Sequence, residues 1–103
     1  MRRAKVFLND VEAGVLEERI PGKEYVFRYN DSYHGDPVSL IMPVEQREFA
    51  YDRFPPFFEG LLHEGIMLDG MLRQLKIDRD DLFSQLVAVG KDMVGAVTVE
   101  EIE

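Results

Sequence analysis

Hydrophobic and polar positions alternate with the two-residue period of strands as far as Met42 and change to helical spacing from Pro55 onward. Lys5-Val6-Phe7-Leu8, running into Asn9-Asp10, predicts a strand entering a turn, with Ala13-Gly14-Val15-Leu16-Glu17-Glu18 as its hairpin partner. Ile20-Pro21-Gly22 predicts a second turn. Beyond it Tyr25, Phe27 and Tyr29 alternate with Val26 and Arg28, as in a half-buried third strand. Asp31 to Pro37 holds the turn formers of a surface loop, and Val38-Ser39-Leu40-Ile41-Met42 reads as a fourth strand stopped by Pro43.

Val44 to Arg53 carries five charged residues together with Phe49 and Tyr51, and reads as a partly exposed connection pinned to the core by its aromatics. Pro55 and Pro56 suit the first turn of a helix, where a missing N–H costs little, and Phe57, Phe58, Leu61 and Leu62 share one apolar face. Gly65 is expected to end that helix. Leu68, Met71, Leu72 and Leu75 predict a second helix, or a bent continuation of the first, to about Lys76. The next start signal is Asp78 as N-cap, with Asp80 and Asp81 in the first turn and Ile77 with Leu82 as a hydrophobic staple. Leu82, Phe83, Leu86 and Val87 then face inward, and Gly90 closes the helix. Gly95 to Val99 reads as a last strand, and Glu100 to Glu103 as a frayed acidic end. Strands followed by helices predict a single α+β domain over residues 1–103.

Composition narrows the function more than the fold. With 103 residues, 46% hydrophobic and 31% charged, the chain suits one small globular domain and excludes a multidomain enzyme. A net charge of −8 repels phosphate backbones and anionic lipid, so direct binding to nucleic acid or membrane is not expected. Cysteine is absent, which removes disulfides and thiolate metal sites and leaves the cytoplasm as the expected location. The basic start Met1-Arg2-Arg3-Ala4-Lys5 leads only to Val6-Phe7-Leu8, too short an apolar run for a signal segment or membrane span.

Candidate chemistry fails on spacing. His63-Glu64 opens a zinc-protease pattern, but Met67 stands where the second histidine belongs. Asp78-Arg79-Asp80 opens a calcium loop, but Phe83 and Val89 occupy the positions that need Gly and Glu, so a helix cap is the better reading. Gly90-Lys91-Asp92 has Asp where a phosphate loop needs Ser or Thr, and a helix-to-strand turn accounts for its glycine. Ser32 with His34 falls in a turn, where solvated or capping roles are ordinary. Tyr25, Phe27 and Tyr29 lack the basic surround of a base-stacking surface and read as packing residues. No catalytic residue, cofactor or metal is expected.

Leu62-His63-Glu64-Gly65-Ile66-Met67 is less easily explained. If Gly65 ends a helix, Ile66 and Met67 lie at a loop tip, where they either fold back into the core or fill a partner's pocket. From the residues alone, folding back is the more economical reading.

Several blocks, taken in order, resemble a known family: Val6-Phe7-Leu8-Asn9, Gly14-Val15-Leu16, Tyr25 to Tyr29, Pro37-Val38-Ser39-Leu40-Ile41-Met42-Pro43, Phe57 to Gly65, and Val89 to Val97. Together they are similar to the N-terminal subdomain of HipA-type toxin kinases, over nearly the whole chain. Gly60 stands where that family often has Asn, and His63 where it has Pro. The resemblance implies a small antiparallel, partly barrel-like sheet with two to three short helices. It also implies that the ATP-binding loop, catalytic Asp and magnesium ligands belong to a kinase domain outside this chain. A chain of this extent is similar to the HipS family, the free-standing small subunits of tripartite HipBST toxin–antitoxin systems. That implies an antitoxin without enzymatic activity, whose partners are a HipT-like kinase toxin and a HipB-like DNA-binding protein; a non-inhibitory scaffold or an activating N-terminal subunit of a HipA-family kinase toxin is the alternative. His63, Glu64, Gly65, Ile66 and Met67 are then the expected contacts with the kinase.

Overall fold

The computed structural model describes residues 1–62, 65–90 and 96–102, with the side chains of 65 and 66 excepted. Among these residues, five strands form one antiparallel sheet: β1 (Arg2–Leu8), β2 (Val11–Ile20), β3 (Glu24–Tyr29), β4 (Glu48–Tyr51) and β5 (Val97–Ile102), in the order β4-β3-β2-β1-β5. The sheet is not closed, and β4 and β5 are its edges. Three helices, α1 (Pro56–Glu59), α2 (Gly65–Leu75) and α3 (Leu82–Val89), complete the α+β domain.

The turns follow from local chemistry. Asn9 and Asp10 take φ of 50° and 67°, the left-handed pair that a two-residue hairpin loop requires, and so join β1 to β2. Between β2 and β3, Gly22 takes φ 75° after Pro21, and the Lys23 N–H donates to the Ile20 carbonyl at 2.9 Å. Register then puts Ala4, Val6, Leu16, Phe27, Tyr29 and Val99 on the inner face, all buried. Phe58 of α1 and Phe83 and Leu86 of α3 cover that face, with Phe58 set against Phe27 at a ring separation of 5.7 Å. Arg3, Lys5, Glu17, Arg28 and Glu48 lie on the other face.

Four expectations are corrected. Val38 to Met42 is not a strand, because the Tyr29 hydroxyl takes the backbone groups at both ends: it accepts from the Val38 N–H at 3.0 Å and donates to the Met42 carbonyl at 2.6 Å. Strand pairing beside β3 goes instead to Glu48–Tyr51, inside the stretch expected to be a connection, after a 3-10 turn at Val44–Gln46. The α3 N-cap is Asp81, whose side chain accepts from the Ser84 N–H at 3.1 Å, and not Asp78. Buried Gln85 holds the preceding turn by donating to the Asp78 and Arg79 carbonyls, which delays the helix start and removes the Ile77–Leu82 staple. Finally, Glu100, Glu101 and Ile102 do not fray: they pair with Lys5, Ala4 and Arg3 as the second half of β5, while Glu103 lies outside the described residues.

Candidate functional site

The expected contact segment lies where α1 hands over to α2. Pro55 and Pro56 bring no N–H of their own to the start of α1, and its single turn buries Phe58 completely. After Glu59 the chain continues as tight turns, the Leu61 N–H donating to the Phe58 carbonyl and the Leu62 N–H to the Glu59 carbonyl, each at 3.1 Å. Leu61 and Leu62 are half-buried against the core, so the connection is anchored up to that point.

His63 and Glu64 lie outside the described residues, as does the side chain of Ile66. Gly65 does not end a helix; it is the first residue of α2, which corrects the loop expected there. Ile66 and Met67 therefore belong to the first turn of a helix. Met67 is 66% exposed, so this side chain does not fold back into the core.

Helix α2 is only lightly fastened. Its apolar stripe runs Met67, Leu68, Met71, Leu72, Leu75, yet of these only Leu72 is buried, and it lies outside the main core cluster. Leu75, at the other end, is 52% exposed. The helix stops in a Schellman geometry, with Lys76 at φ 56° and the Ile77 N–H donating to the Leu72 carbonyl at 3.1 Å. An Asp69–Arg79 ion pair ties its polar side to the turn before α3. An amphipathic helix with an incompletely covered stripe is suited to completing its burial against another protein.

Another exposed apolar pair, Leu40 with Ile41, was not legible as a surface feature, because Val38, Leu40 and Met42 share strand spacing and suggest a common buried face. The available signal was Pro37 and Pro43 on either side, since neither can donate to a sheet ladder.

Two of the residues weighed for catalysis, His34 and Gly90, have structural partners. His34 Nδ1 lies 3.3 Å from the Arg47 guanidinium, which also donates to the Asn30 and Tyr33 carbonyls. Gly90 is the C-cap of α3, and its carbonyl accepts from the Val99 N–H at 3.0 Å; residues 91–95, the rest of the phosphate-loop pattern, lie outside the described residues. Among the described residues no group of three or more His, Asp or Glu could hold a metal ion, and no helix is long and apolar enough to cross a membrane.

Comparison with known proteins agrees with this architecture. The family model of the HipA N-terminal domain matches residues 4–100. A protein of Haemophilus influenzae strain Rd, described only as uncharacterized, is 38% identical over 101 residues, covering 98% of this chain and 93% of that protein. A solved N-terminal domain of HipA toxin superposes with a TM-score of 0.78 at 34% identity, over 100% of this chain and 94% of that one. The chain belongs to the HipA N-terminal domain family.

Proposed function

We propose that this chain binds and restrains a HipA-like Ser/Thr kinase toxin, as the non-enzymatic antitoxin subunit of a HipBST-type system with a HipT-like kinase and a HipB-like DNA-binding protein. The observation that carries the proposal is the incompletely covered apolar stripe of α2, headed by the exposed Met67, in a domain of the HipA family. Ile66 and Met67 are the apolar anchors of the contact, His63 and Glu64 its polar flank, and Gly65 the backbone joint between them. A segment seated in or beside the kinase cleft stops phosphoryl transfer by disturbing alignment, because that reaction depends on positioning and charge placement. The net charge of −8 steers the subunit toward a basic partner surface.

Co-purification with the cognate kinase, using wild type and Met67→Asp, tests the contact. Met67 is largely exposed, so the variant keeps its fold and is expected to bind about tenfold or more weakly. Equal recovery of both proteins would remove α2 from the interface.

The solved relative is a domain of a toxin, which favours a second reading in which the domain assists its kinase. Autophosphorylation of the kinase separates the two: an antitoxin lowers it and an assisting subunit raises it.

A further inference from the structure

Leu40 is 96% exposed, the most exposed large hydrophobic side chain among the described residues, and Ile41 beside it is 69% exposed. They do not sit on a loose tip. Val38 and Met42 on either side are buried, and the phenol of Tyr29, itself buried, holds both by the two hydrogen bonds described above. Within the span the Met42 N–H donates to the Ser39 carbonyl at 3.0 Å and the Ile41 N–H to the Ser39 hydroxyl at 3.3 Å. Two aliphatic side chains are thus presented on a fixed knuckle, and a fixed presentation removes much of the ordering cost of binding.

Along the chain, the charged side chains that flank the knuckle have one sign. Asp31, Asp36 and Glu45 are exposed, and no Lys or Arg occurs between Arg28 and Arg47. Arg47 itself spends its guanidinium on the Asn30 and Tyr33 carbonyls and on His34.

We propose that Leu40 and Ile41 form a second anchor, entering an apolar socket rimmed by basic side chains on the kinase toxin. This rests on the reading above that a HipA-like kinase is the partner. A second copy of the chain is a poorer occupant. Two aliphatic side chains supply a small part of the roughly 800 Å² that each partner buries in a stable interface. Three clefts on the described surface are lined in part by Arg28 and Glu48, by Asp52 and Arg53, and by Asp10 and Glu100, which do not suit an apolar knuckle.

The test is titration of the purified cognate kinase with wild type and with the double variant Leu40→Asp, Ile41→Asp, alongside thermal unfolding and sedimentation of each. Both side chains are exposed, so an unchanged unfolding midpoint is expected, with affinity reduced about tenfold or more. Wild-type binding that the double variant matches within about twofold would overturn the knuckle while leaving the α2 contact standing. A wild-type dimer that the double variant abolishes would overturn it in favour of a second copy. Failure of wild type to bind the kinase at all would remove both this proposal and the reading beneath it.

Discussion

The Arg2 guanidinium donates to the Asp81 carboxylate at 2.9 Å, joining the first residue of β1 to the N-cap of α3. The same group reaches Glu18 Oε1 at 2.7 Å and Ser84 Oγ at 2.7 Å, and lies 4.8 Å from the centre of the Phe83 ring. Glu18 is only 3% exposed and also accepts from the Tyr25 hydroxyl at 2.9 Å. One side chain thus supports a buried carboxylate and, with Gln85 holding the Asp78 and Arg79 carbonyls, favours Asp81 as the residue that starts the helix.

Arg2→Ala is expected to destabilise the protein by about 2–3 kcal/mol, because it strips charge-assisted hydrogen bonds from a buried carboxylate. The denaturation midpoint in urea checks this. A change within about 0.5 kcal/mol would mean that water replaces the guanidinium at no cost.

The same contacts set a pH dependence. Burial alone would raise the Asp81 carboxyl, but hydrogen bonds from Arg2 and Ser84 more than offset it and hold the group below its usual value of 3.8. A carboxylate depressed on folding contributes stability above its unfolded value, and that contribution is lost as pH falls through the lower folded value. Wild type is therefore expected to lose stability, as pH falls below about 4, more steeply than Asp81→Asn. Parallel profiles of unfolding temperature against pH would contradict this.

Tyr29→Phe keeps the ring but removes the hydroxyl that serves the Val38 N–H and the Met42 carbonyl. Both residues are buried, so the loss is expected to be about 1–3 kcal/mol. Amide exchange at Val38 is the local readout. Protection unchanged from wild type would show that the knuckle is held by packing alone.

Lys76 occupies a left-handed position that glycine adopts without steric cost. Lys76→Gly is expected to raise stability by about 0.5–1 kcal/mol and to leave kinase binding unchanged. A lower thermal midpoint would mean that the lysine stem makes a packing contribution larger than the backbone strain.

Sequence pattern was most informative where local chemistry has one outcome. Asn9-Asp10, Pro21-Gly22 and the alternation of Tyr25, Phe27 and Tyr29 specify two turns and a third strand, and the structure has all three. Of the inward stripe expected on α3, Phe83 and Leu86 are buried, while Leu82 and Val87 are half-buried and Gln85 and Val89 take the other buried positions. Choices between near-equivalent residues were not legible. Asp78 and Asp81 are both competent caps, and Asp81 is favoured by two contacts the local pattern does not show: Gln85 on the Asp78 and Arg79 carbonyls, and Arg2, 79 positions from Asp81 in the chain. Val38 to Met42 has better strand composition than Glu48 to Tyr51, but Tyr29 claims its backbone groups, and β4 is an edge whose outward Glu48 and Ala50 mask its alternation. At the candidate site, glycine at position 65 signals a boundary without saying on which side the helix lies; here the helix follows. The exposure of Met67 could not be inferred either, because an apolar stripe gives no sign of whether its cover is in the same chain.

Growth of cells expressing the cognate HipA-like kinase, with and without this chain, tests the central claim most directly. Restraint of the toxin means that co-expression restores growth and that Met67→Asp, at equal protein level, restores it less. Growth that stays arrested or worsens while the two proteins still co-purify would contradict an antitoxin role and make the chain a scaffold or an assisting subunit of its kinase.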